Sequence, residues 1–149
     1  MKLLSGLALF LLCGLAGESK ARRLQHRERT LFRLYGLIRE ISDRQLSNLM
    51  SFREGALLCS PSPERDQLLR LGSGETVPMP LLAMEERERV RSFARMESRS
   101  VAALRQERDA LLTQLQQERN RAREELDQKG RIYRSVGVLC GAAALLMIL

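Results

Sequence analysis

The stretch "EERERVRSFARMESRSVAALRQERDALLTQLQQERNRAREELDQK", Glu85 to Lys129, contains neither proline nor glycine. Val90, Ala94, Val101, Leu104, Leu111, Leu115 and Ala122 recur in it at helical spacing, so one apolar stripe follows a heavily charged rod. Glu97, Arg108 and Glu118 interrupt that stripe, where a self-associating coiled coil would want apolar residues. An intramolecular antiparallel bundle therefore fits the pattern better than a coiled-coil oligomer. The spacing predicts one long helix over residues 85–131. No β alternation of any length occurs along the chain, and the fold class expected is all-α.

Toward the N-terminus the character changes. Residues 59–84 hold all four prolines, Pro61, Pro63, Pro78 and Pro80, together with Gly72 and Gly74. This is a linker with one short helix, predicted over Pro63–Leu71: Ser62 can cap it, Pro63 suits its first turn and Glu64 follows as an early acid. The "GSGET" at Gly72–Thr76 lacks the Gly-Lys-Ser/Thr ending of a phosphate loop and reads as a turn. Before the linker, Leu24, Leu31, Leu34, Ile38, Ile41 and Phe52 lie on one stripe, which predicts an amphipathic helix within residues 18–58.

The two ends are different again. Leu3–Gly17 and Ser135–Leu149 are apolar runs without an ionisable side chain other than the thiols of Cys13 and Cys140. Each spans about 22 Å as a helix, against about 30 Å for a hydrocarbon core. The first run has the Lys2 and apolar stretch of a signal peptide, but no clean A-x-A site follows it, so a retained helix is expected. Residues 3–17 and 132–149 are accordingly read as two short transmembrane helices. Lys20, Arg22, Arg23, Lys129, Arg131, Tyr133 and Arg134 are the interface anchors that would make up the missing length. Gly137 and Gly141 form a G-x-x-x-G pair, and Gly14 and Gly17 are their candidate counterparts, since membrane helices pack through small residues. The cations follow the first run and precede the second. The positive-inside rule then places the middle of the chain in the cytosol and both termini on the far side. The predicted architecture is a membrane hairpin of two short helices flanking a cytosolic helical bundle.

Composition narrows the function. The chain has 149 residues, a net charge of +7 and no Trp. Its acids and bases alternate, which describes solvated helix faces rather than a phosphate-tracking groove, so no nucleic-acid partner is expected. Cys13, Cys59 and Cys140 have no close Cys or His neighbour, and His26 is the single histidine. No metal, cofactor, small-molecule substrate or catalytic constellation is therefore expected, and the chain reads as a non-enzyme.

"LIREIS" at Leu37–Ser42 and "KGRIYRSVGVLCG" at Lys129–Gly141, in this arrangement, resemble the stage III sporulation protein AB family. Lys129, Tyr133, Arg134, Gly137, Val138, Leu139 and Gly141 match the family's ending, and Glu40 and Ile41 its acidic-aliphatic pair. The resemblance implies a membrane protein of the mother-cell membrane around the forespore, part of a secretion-like channel. The family is distantly similar to platform proteins of type II secretion and type IV pilus systems. That likeness implies a cytosolic body docking a secretion-type ATPase, the stage III sporulation AA protein, alongside other stage III sporulation membrane proteins. Arg39, Glu40, Asp43 and Arg44 are the candidate contact. The alternative is a membrane-anchored coiled-coil scaffold unrelated to sporulation.

Overall fold

In the computed structural model, the backbone is described for residues 2–96 and 100–148; the side chains of 2–6, 145 and 148 are not. Five α-helices account for almost all of it, with no strand among the described residues: α1 (Lys2–Asn48), α2 (Phe52–Leu57), α3 (Pro63–Gly72), α4 (Met84–Ala94) and α5 (Val101–Ile148). They group into two compact units. One comprises Met1–Glu28 and Asn120–Leu149; the other is Arg29–Arg119. Both α1 and α5 contribute to each.

The Arg29–Arg119 unit has its own core. Leu31, Leu34, Ile38 and Ile41 of α1 are fully buried, as expected from their spacing. Leu68 and Leu71 of α3, Val90 and Phe93 of α4, and Leu104, Leu111, Leu112 and Leu115 of α5 complete it. Phe52, first residue of α2, meets Phe93 edge to face, with ring centroids 6.0 Å apart. The pairings of α1 with α5 run antiparallel, as the Asp43–Arg108 ion pair and the Arg119 guanidinium over the Phe32 ring show. From Leu104 to Ala122 the α5 stripe is thus covered from within the chain, while Val101 at its start is exposed.

Local chemistry explains most helix ends. Ser62 accepts from the Arg65 N–H at 3.1 Å and Pro63 opens α3, as predicted. Gly74, at φ +97°, turns the chain so that the Glu75 N–H reaches the Arg70 carbonyl at 3.0 Å. Ser51 and Glu54 form a capping box at α2. The Ser51 N–H and hydroxyl hold the Glu54 carboxyl below its usual range. A depressed carboxylate stabilises the folded chain above its unfolded pKa. The α2 cap therefore weakens as the pH falls through the lower folded value.

One expectation from sequence is corrected. The single helix over residues 85–131 is interrupted: α4 stops at Ala94 and α5 starts at Val101. Arg95 donates to the Leu71 and Gly74 carbonyls, at 3.2 and 2.8 Å, and Ser100 caps the next helix through the Ala103 N–H. Glu97, which interrupts the predicted stripe, lies outside the described residues. The two expected transmembrane helices find no support among the described residues, where no helix is long and apolar enough to cross a membrane. The apolar runs are short, and α1 and α5 continue directly into charged sequence. The outer side chains of both runs, residues 3–6 and 145, 148 and 149, lie outside the described set.

Candidate functional site

Two surfaces carry the residues singled out by sequence. The first is a seam between α1 and α5 in the unit made of Met1–Glu28 and Asn120–Leu149. A Cβ added to Gly137 would lie 2.9 Å from the Cys13 carbonyl oxygen, and one on Gly141 would lie 2.7 Å from the Phe10 ring and 3.0 Å from the Phe10 carbonyl oxygen. On the α1 side, a Cβ on Gly17 would overlap the Tyr133 carbonyl and sit 3.3 Å from the Gly137 Cα. Gly17, Gly137 and Gly141 thus let two backbones touch. Gly14 does not share in this, since a Cβ there would meet nothing within 4 Å. Sequence reasoning offered Gly14 and Gly17 together as small-residue counterparts; Phe10 and Cys13, which also lie against Gly141 and Gly137, were not singled out.

The anchors flank this seam. Glu18 accepts from Arg22 at 3.2 Å and from Arg134 at 3.0 Å. The Arg22 hydrogen bond leads in lowering the Glu18 pKa, and Arg134 adds to it. Lys20 lies 5.4 Å from the centre of the Tyr133 ring, and Lys129 pairs with Glu125 at 3.1 Å. Arg23 and Arg131 are exposed and form no ion pair among the described residues. Around the seam, Leu9, Leu11, Leu12 and Leu15 of α1 and Val136, Val138 and Leu139 of α5 are exposed. A contiguous apolar surface of this kind marks an interaction site.

The second surface belongs to the Arg29–Arg119 unit. Arg39, Glu40, Asp43 and Arg44 line one open groove along α1, with Gly36, Ser47 and Asn48. They pair among themselves: Arg44 with Glu40 at 2.7 Å and Arg39 with Asp43 at 4.0 Å. Asp43 also meets Arg108 of α5 at 2.9 Å. Exposed pairs of this kind add little stability, about 0–1 kcal/mol each. Beside them Cys59 is buried and donates its thiol to the Gly55 carbonyl at 3.3 Å. Burial, and then the Glu40 charge, push its pKa up, so it stays a protonated thiol. Among the described residues no cluster of His, Cys, Asp and Glu could hold a metal.

Leu49 was not singled out by sequence. It ends α1 in the left-handed region, φ 52°, and is 79% exposed. Glycine normally fills this position. Leu49→Gly relieves a strain of about 1–2 kcal/mol and adds unfolded-state freedom. It is expected to raise stability by about 0.5–1 kcal/mol, read as a higher thermal midpoint. A lower midpoint would show that the leucine side chain itself contributes to folding.

The α5 half of the seam, the anchors from Lys129 to Arg134 and the whole of α4 and α5 fall within one comparison. The family model for stage III sporulation protein AB matches residues 68–149. The chain belongs to the stage III sporulation protein AB family. The match includes Gly137, Gly141 and the anchors from Lys129 to Arg134, while the groove residues of α1 precede it. Searches of curated proteins and of solved structures find no match. Membership of the stage III sporulation protein AB family gives the chain a role in stage III of sporulation.

Proposed function

We propose that this chain is a non-enzymatic platform subunit of a sporulation secretion-like channel. Its paired helix ends hold it in the mother-cell membrane around the forespore, and its helical body recruits a secretion-type ATPase in the cytosol. The observation that carries the reading is the glycine seam. It joins two apolar helix ends whose leucines and valines face outward, with cations directly beside them. Soluble helices seldom combine backbone contact with an apolar exterior, whereas membrane helices pack this way. Two such runs of about 22 Å need local bilayer thinning and snorkelling anchors to span. Both termini would lie on the non-cytosolic side.

The scaffold alternative needs a free seam along α5. Leu104, Leu111, Leu115 and Ala122 are buried within the chain, which favours the platform. The groove at Arg39–Arg44 is the proposed ATPase contact, since its charges satisfy each other at the surface and can exchange partners on docking. Co-purification with the stage III sporulation AA ATPase tests this. Glu40→Lys with Asp43→Lys is expected to weaken capture about tenfold, because partly exposed interface charges govern encounter and selectivity. Wild-type protein that never captures the ATPase would end the platform reading.

A further inference from the structure

The cations beside the seam have no assigned ligand. Six of them, Lys20, Arg22, Arg23, Lys129, Arg131 and Arg134, fall within residues 18–23 and 129–134, with Glu18 as the one acid in those segments. Antiparallel packing brings the two segments together, as the Arg134–Glu18 ion pair and the Lys20–Tyr133 contact show. All six cations are exposed. Glu18 serves both Arg22 and Arg134, and Glu125, one turn before the second segment, pairs with Lys129. Against these two acids the six cations leave a surplus of +4 in one band at the end of two apolar helices. Such a surplus repels itself unless an anion neutralises it. What lies beside apolar helix ends is the headgroup layer.

We propose that this band binds anionic phospholipid headgroups, so that the protein gathers acidic lipid around its paired helices. The inference rests on the membrane reading above and names the lipid class. Guanidinium groups suit phosphate because their N–H fork matches two oxygens. Each cation at the surface of an anionic leaflet adds to the attraction, and the attraction weakens with salt. Nucleic acid offers the same phosphates, but it gives no place to the apolar surface that borders the band.

The full chain, purified in a neutral detergent, is reconstituted into vesicles of phosphatidylcholine and phosphatidylglycerol, then extracted with its adhering lipid. Phosphatidylglycerol is expected to be enriched about fivefold over the bulk mixture. Arg23→Gln with Arg131→Gln should return the ratio to near bulk without loss of helicity, since neither side chain forms an ion pair among the described residues. Lipid at bulk composition around the wild-type protein would overturn the proposal and leave the membrane reading intact. Protein that carries no lipid at all would overturn both. Displacement of the enriched lipid by duplex DNA at equal phosphate concentration would overturn it in favour of nucleic acid.

Discussion

Phe52→Ala is expected to lower the unfolding free energy of the Arg29–Arg119 unit by about 3–5 kcal/mol. Phe52 is 6% exposed, and its ring stands at 85° to that of Phe93. A Cβ on Gly72 would lie 3.6 Å from the same ring, so one side chain joins α2, α3 and α4. Removing it leaves a cavity that three short helices would have to collapse, and none of them has the length to persist unaided. A unit of roughly ninety residues has about 5–14 kcal/mol of stability in total. The loss should therefore move the urea midpoint of the full chain by about 2 M, followed by helical ellipticity. Phe32→Ala is the control. Phe32 is 52% exposed, and its contact with Arg119 is worth about 0.5–1 kcal/mol. Equal shifts for the two variants would mean that Phe52 is not a keystone of this unit.

Gly137→Ile should separate the ends of α1 and α5. Its new side chain would meet the Cys13 carbonyl, which belongs to a helix backbone and cannot turn aside. Overpacking costs about 1–3 kcal/mol where side chains can adjust, and here the helix axes must move instead. Gly17→Ile should act alike, through the Tyr133 carbonyl and the Gly137 backbone. Gly36→Ala is the contrast. A Cβ there meets nothing within 4 Å, and alanine in a helix interior gains about 0.5–1 kcal/mol over glycine. Thermal unfolding in a neutral detergent should thus rank Gly36→Ala above wild type, and both glycine-seam variants below it. A Gly137→Ile chain that melts with wild type would show that the seam does not hold the helix ends together.

Helix identity was legible because its causes are local. Leu31, Leu34, Ile38 and Ile41 announce a buried face by spacing alone, and Ser62-Pro63-Glu64 contains its own cap. The end of α4 was not legible. Arg95 terminates there by donating to carbonyls of α3 and its turn, more than twenty residues earlier, and no pattern near Arg95 reports those acceptors. The candidate contact residues were legible as charges on α1. The Asp43–Arg108 pair was not, because it depends on the register of α5 against α1.

By itself, then, the sequence determined that the chain is helical, that its ends are apolar and that cations adjoin them. These follow from residue type and from spacing within single helices. Tertiary structure decided which glycines matter. Gly14 and Gly17 are equivalent candidates in sequence, yet only Gly17 lies against a backbone, because the α1–α5 crossing brings Tyr133 and Gly137 to it and nothing to Gly14. Close approach is a property of two segments over a hundred residues apart. It exists only once their packing has been chosen.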